Sequence, residues 1–490
     1  MSDATENFEM IVIGGGPAGV VAALRARELG AHTALVERGR MGGVCTNDGC
    51  VPTRVLARAA RLRREADQFE AYGLLAPEPE LDFARLMSRA QQVVYQVHEK
   101  KQLLKHLRSA GVRVFDAAGS ARFLDPHTIE LEDGSRFHGD EFILCVGGHA
   151  RRISFPGSEL AITHSDVWGL RELPESLVIV GAAATGCQLA SIFAAFGTRV
   201  TMLEIAPRIL AVEDEDLSQA VAEAFEQRGI HLVNSISGIE RLERDGQGLN
   251  LVYRQGQGTS SLPAEVVVLA VGWVGNLESL NLEAAGVETE RGYIRVSDTL
   301  QTSASHIYAA GDITGRMMLV QSANYDGRAA AENAVLNADE FYKHHIVPHG
   351  GFTDPEYGSV GMTEEQARQE LGEDGYASAL VPYSDMDRAV IDGHTTGFCK
   401  LVVNRTSQLL VGAHVVGEQA LELVQLLAAG MAAGMTISQL ADLEIAYPTY
   451  AGVAGLAARR IAPALGLTPL APEWRVLSGG RLAEWERRDQ

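Results

Sequence analysis

The sequence predicts an α/β protein in which one strand–turn–helix–strand unit occurs twice, and three observations carry that prediction. The first is FEMIVIGGGPAGVVAALRARELGAHTALVER: a β-rich apolar run, Gly14, Gly16 and Gly19 in G-x-G-x-x-G spacing, a helical pattern, and a second strand ending in Glu37. The second is its repetition in SLVIVGAAATGCQLASIFAAFGTRVTMLE. There Gly181, Ala183 and Gly186 keep the same offsets, and Glu204 follows Gly186 by the 18 residues that separate Glu37 from Gly19. The third is length, since 490 residues exceed the size at which one core stops growing, so two or three domains are expected.

In each unit the glycines permit a tight turn and a close approach of backbone to a pyrophosphate at a helix N-terminus. The acid ending the second strand can bind a ribose hydroxyl. Two Rossmann-like dinucleotide folds are therefore expected in one chain. Ala183 replaces the middle glycine of the second turn, adding only a methyl where the backbone nears the phosphates. Over the whole chain the composition is that of ordinary globular protein, 46% hydrophobic and 21% charged. A formal net charge of -21 argues against nucleic acid and against an anionic membrane surface as partners. The start, MSDATENFEMIVIGGGPAG, has no basic stretch leading into an apolar run, and no segment reaches the roughly 18 apolar residues of a membrane helix. A cytoplasmic protein without a signal peptide is expected.

After the first unit comes GGVCTNDGCVPTRV, holding Cys45 and Cys50, two of five cysteines. A structural disulfide is disfavoured in a reducing compartment, and the odd total argues the same way. Metal binding needs three or four ligands, yet residues 42–55 offer no histidine and one acid, Asp48. A redox pair is the favoured reading, with two inert cysteines and metal ligation as alternatives. Residues five apart on a regular helix point about 140° apart. A bond between these thiols therefore needs a non-helical turn, which TNDG can supply before a helix carrying Pro52 in its first turn. A thiol at that helix start would have a lowered pKa. Cys145, Cys187 and Cys399 have no such setting and are assigned no role.

A further strand-to-helix stretch, LQTSASHIYAAGDITGRMMLVQSANYDGRAAAENAV, carries Gly311-Asp312, and FTDPEYGSVGMTEEQA follows nearer the C-terminus. Taken in order with the two glycine turns and the CTNDGC stretch, these motifs resemble the pyridine nucleotide-disulfide oxidoreductases, which include lipoamide dehydrogenase, glutathione reductase and mercuric reductase. The resemblance covers roughly residues 8–465. It implies FAD on the first fold, NAD or NADP on the second, and a C-terminal α+β domain that forms a homodimer. It also implies boundaries: 1–153 and 275–346 for the two parts of the FAD-binding domain, 154–274 for the NAD(P)-binding domain, 347–465 for dimerisation, and 466–490 as a tail. By position, Gly14, Gly16, Gly19 and Glu37 would hold the FAD adenosine half, with Asp312 near its ribityl chain and pyrophosphate. Gly181, Ala183, Gly186, Glu204 and Gly272 would hold the nicotinamide dinucleotide. Cys50 would be the flavin-side thiolate and Cys45 the thiol that meets substrate. Glu204, an acid where a 2′-phosphate would be repelled, favours NADH, although Arg208 nearby could serve NADP.

Three departures from the family pattern matter. Its usual His-Pro-Thr with a glutamate five residues after the histidine reads Tyr447-Pro-Thr here, with Gly452 at the acid position. The lysine and glutamate usually paired beside the flavin are Arg54 and Gln188, and Trp273 stands where an arginine is usual. These changes leave several readings: a disulfide reductase, a mercuric-type or quinone reductase with Tyr447 at the acceptor site, and a soluble transhydrogenase, a class that lacks the second cysteine. A flavin-bearing binding or regulatory protein is the non-enzyme reading. No resident metal is expected. Trp474 and Trp485, in the tail, are read as covering the partner subunit's active-site mouth or as simply solvated.

Overall fold

The computed structural model of this chain describes residues 5–75, 77–246, 248–341, 344 and 346–470. Trp474 and Trp485 lie outside the described residues. The chain divides into two compact units, Met1–Ile209 with Glu226–His345, and Leu210–Phe225 with Ile346–Gln490.

In the first unit, the apolar run becomes β1 (Glu6–Ile13) and the alanine-rich stretch after it α1 (Pro17–Glu28). The strand Thr33–Val36 (β2) pairs parallel to β1 and is buried at every position, as expected of a strand covered on both faces. β1 also pairs parallel to the strand Arg136–Leu144, which pairs in turn with Ile307–Ala309. That last pairing brings the late Gly311-Asp312 turn to the sheet that starts the chain. Small side chains let α1 lie close against the helix Val320–Leu336: a Cβ on Gly327 would strike the Ala18 backbone. A second parallel sheet has the order 231–233, 199–203, 176–180, 266–269, 162–163. The α/β reading with two nucleotide folds therefore holds. Among the described residues no helix is long and apolar enough to cross a membrane.

The second unit is α+β. Its five-stranded antiparallel sheet runs in the order His349–Gly351, Tyr357–Gly361, Leu410–Val416, Phe398–Asn404, Tyr376–Pro382. Val360, Cys399, Leu401, Ala413 and Val415 enter one apolar core with the helices Ala420–Ala432 and Gly452–Ile461. The alternate residues His349, Ser359, His414 and Lys400 are register partners side by side across four strands. This polar row meets acids from residues 213–216, which explains why Leu210–Phe225, inside the span 154–274 read from sequence as one nucleotide-binding domain, groups with the second unit. The buried Lys400 Nζ lies 2.8 Å from Asp214 Oδ1, 2.6 Å from Asp216 Oδ2 and 2.6 Å from Glu364 Oε2. Ser359 Oγ donates to Glu213 Oε2 at 2.6 Å, and His349 Nε2 lies 3.2 Å from Glu213 Oε1.

Candidate active site

The two glycine turns are the same object built twice. Gly14 and Gly181 have φ of 107° and 103°, in the region that favours glycine. A Cβ on Gly19 or Gly186 would collide with the carbonyl of Gly14 or Gly181, so each helix begins pressed against its strand end. Glu37 accepts from the Gly15 and Gly39 amides at 2.6 and 2.8 Å, and Glu204 accepts from the Ala182 and Ala206 amides at 2.6 and 2.8 Å. Gly16 and Ala183 occupy the equivalent N-cap positions of α1 and of the helix Ala184–Ala195. A Cβ on Gly16 would come no nearer than 3.8 Å to another atom, so the backbone there is open to a ligand. These features fit a pyrophosphate and ribose at each turn. Asp312 follows Gly311 on the shared sheet, and burial raises its carboxyl to about 6. Gly311 N donates to the buried Asp326, also raised by burial to about 6. Gly272, with φ of 104°, closes the second sheet ahead of the strand Trp273–Gly275.

The chain breaks between two helices at the cysteines. α2 (Gly43–Asn47) carries Cys45, Asp48 and Gly49 leave helical geometry, and α3 (Cys50–Ala66) starts on Cys50. Both cysteines are free thiols, Cys45 half-buried and Cys50 exposed. They are hydrogen-bonded to each other. That bond pulls the Cys50 thiol down to about 7 against the opposing effect of burial, and the backbone at the helix start helps. The same bond, followed by burial, pushes Cys45 up. Both effects favour Cys50 over Cys45 as the thiolate of the pair. The Lys101 cation lowers both and Asp312 raises both. Burial pushes Cys145, Cys187 and Cys399 up, which leaves them unreactive thiols.

Helix α4 (Phe83–Lys101) grips the turn from one side: His98 Nε2 pairs with Asn47 Oδ1 at 2.8 Å, and Lys101 Nζ donates to Thr46 Oγ1 at 3.1 Å. Neither residue stood out in the sequence, because both partners lie more than fifty positions away and no local pattern joins them. Arg54 is exposed on α3, which packs on the helix Ala184–Ala195 that carries Gln188. Gln188 Nε2 donates within its own helix to Ala184 O at 3.0 Å. Trp273 accepts a hydrogen bond at its carbonyl from Tyr293 OH at 2.7 Å. Tyr447 belongs to the second unit, where it is 78% exposed and donates to Asp387 Oδ2 at 2.7 Å. That hydrogen bond raises its pKa, so the phenol stays protonated. Among the described residues no group of three or more His, Cys, Asp or Glu could hold a metal ion.

Residues 8–327 match the family described as pyridine nucleotide-disulphide oxidoreductase, and residues 347–458 match that family's dimerisation domain. The chain belongs to this family. It is similar to dihydrolipoyl dehydrogenase of Zymomonas mobilis, 32% identical over 461 residues, covering 91% of this chain and 96% of that one. It is equally similar to mercuric reductase of Staphylococcus aureus, 32% identical over 457 residues, covering 92% and 82%. Among solved structures, the HOCl-induced flavoprotein disulfide reductase RclA from Escherichia coli superposes with a TM-score of 0.81 at 26% identity, over 92% of this chain and 99% of that one. As a pyridine nucleotide-disulphide oxidoreductase, the chain is a flavoenzyme that works with FAD and NAD(P)H. Its dimerisation domain supports a homodimer.

Proposed function

We propose that this oxidoreductase takes electrons from NADH and delivers them through the Cys45–Cys50 pair to a small oxidised acceptor. The observation that carries the reading is the hydrogen-bonded thiol pair with Cys50 held near 7 at a helix start. When bound, FAD would supply the two-electron chemistry that links the nicotinamide to the pair. Glu37, Gly14, Gly16, Gly19 and Asp312 would hold it. With the pair reduced, a proton moves across the thiol–thiolate bond from Cys45 to Cys50 and leaves Cys45 as the nucleophile. Against a disulfide acceptor, Cys45 attacks one sulfur and expels a thiolate. Cys50 then attacks Cys45, reforms the internal disulfide and releases the second thiol. Two electrons and one proton leave the thiol–thiolate pair, and with a second proton from solvent the acceptor becomes two thiols. Anaerobic reduction by NADH followed by a panel of disulfides, quinones and Hg(II) tests this, and a dithiol that none of these acceptors reoxidises would refute it.

Glu204 supports NADH over NADPH. A 2′-phosphate placed beside its carboxylate costs more than about 1.4 kcal/mol, so kcat/KM for NADH is expected to exceed that for NADPH by roughly tenfold or more. Steady-state kinetics with both nucleotides check this, and equal use would mean that Glu204 does not face the ribose.

A second reading, reduction of a metal ion or quinone, is favoured by Tyr447. A phenol whose pKa is raised above 10 by its bond to Asp387 cannot cycle as a base as a histidine does. Its single O–H, once released from Asp387, can donate one hydrogen bond to a leaving thiolate, a quinone carbonyl or a metal-bound ligand. Small disulfides are therefore expected to turn over slowly, without a bell-shaped pH profile. Tyr447→Phe is expected to slow the acceptor half-reaction by about tenfold, the value of one hydrogen bond in a transition state, and to leave reduction by NADH unchanged. Stopped-flow rates for the two half-reactions measure both, and an unaltered acceptor step in the variant removes Tyr447 from the site.

A further inference from the structure

The redox turn is also held by a residue far along the chain, outside α4. The helix Leu103–Ser109 (α5) follows α4, and the one-turn helix His164–Val167 (α6) begins the second nucleotide fold. Directly after α6, Trp168 Nε1 donates to Asp48 O at 2.7 Å, across 120 residues of sequence. Asp48 is where the chain leaves α2, with its own N–H bound to Val44 O at 2.9 Å. Its Oδ1 is buried and has no hydrogen-bond partner among the described residues. His164 lies edge-on to the Trp273 ring, 5.1 Å between centroids, with Nε2 3.2 Å from Ser165 Oγ. Burial lowers the pKa of His164, while the Asp48 and Asp166 carboxylates act on it in the opposite sense. All these residues belong to the first unit.

We propose that Trp168 is a positioning residue for the redox turn: its indole N–H, donated to Asp48 O, fixes the bend between the two cysteines. The inference rests on the reading of Cys45 and Cys50 as a redox pair. A disulfide forms only when the two Cβ atoms lie within a narrow range of separation. A bend held by a donor from outside keeps the sulfurs in reach and raises their effective concentration, which stabilises the disulfide against external thiols. Freeing the bend lets the reduced loop spread and favours the dithiol. Trp168→Phe keeps the ring and removes the donor.

The test equilibrates full-length, flavin-loaded wild type and the Trp168→Phe variant with reduced and oxidised glutathione at fixed pH. Oxidised glutathione takes two electrons from the pair, and protons from the pair and the buffer complete two reduced glutathiones; thiols remaining on Cys45 and Cys50 are counted after alkylation. Trp168→Phe is expected to shift the equilibrium toward the dithiol by roughly three- to tenfold, up to about 30 mV, with unchanged flavin content. A Trp168→Phe equilibrium within twofold of wild type overturns the proposal. A wild type that keeps both thiols at every ratio instead overturns the redox-pair reading.

Discussion

Replacing Cys50 by serine abolishes the long-wavelength absorbance expected on two-electron reduction of the flavin-loaded protein, and lowers NADH-driven reduction of a disulfide acceptor by at least about a thousandfold. A serine hydroxyl cannot ionise near neutral pH, so it supplies neither the electron-rich sulfur nor the second attack. In the wild type the same absorbance follows the Cys50 thiolate, held near 7 by the bond from Cys45. It is expected to fade as pH falls through that value, because protonation removes the donor. An anaerobic spectral titration with NADH at several pH values measures both effects. A reduced wild type with no such absorbance, or a variant that retains it, would separate the cysteines from the flavin.

Lys400→Met is expected to destabilise the second unit by about 3–5 kcal/mol, the cost of leaving buried carboxylates without their cation. For a unit of this size that lowers Tm by roughly 6–20 °C. Three carboxylates meet one buried ammonium, at 2.6–2.8 Å. Burial pushes the Asp214 carboxyl up, but His414, the Glu364 amide and Lys400 together hold it below its ordinary 3.8. Burial likewise opposes, and Lys400 with Ser378 overcomes, at Glu364, which is held below 4.5. Depressed carboxyls stabilise the fold above their ordinary pKa values, and that contribution is lost as pH falls through the folded ones. In the variant the sign reverses: without the cation these acids titrate upward, so lowering pH from 7 to 5 is expected to recover stability that the wild type does not gain. Thermal scans of both proteins at fixed concentration decide it, and a Tm within 2 °C of wild type would mean the ion cluster contributes nothing net.

How much of this was legible beforehand depends on whether the signal was local. Each glycine turn, its helix and its acid fall within about thirty residues, so spacing alone predicts Gly14, Gly19 and Glu37, and again Gly181, Gly186 and Glu204. The break between α2 and α3 was readable from Asn47, Asp48 and Gly49 for the same reason. The C-terminal α+β domain came from the order of motifs, because its strands carry no catalytic pattern. The brace on the redox turn was invisible: Trp168 meets Asp48, and Lys101 meets Thr46, only after the chain has folded. So was the attachment of residues 210–225 to the second unit, which depends on Lys400 meeting Asp214 across 186 residues. Tyr447 was marked only by its departure from a family pattern, and its Asp387 partner, 60 residues away, changes what the phenol can do.

The row His349, Ser359, His414 and Lys400 also governs how the strands can be threaded together. Side chains alternate between faces along a strand, so sliding any one of these strands by a single residue exchanges its two faces. Cys399, Leu401, Ala413 and Val415 would then leave the apolar core, and Lys400 or His414 would enter it. An ammonium in that core has no acid to meet, and such a sheet would be far less stable than the native one. The acids at 213, 214, 216 and 364 thus act as a gauge that one alignment satisfies. A misaligned sheet would offer the helices Ala420–Ala432 and Gly452–Ile461 no apolar face to cover.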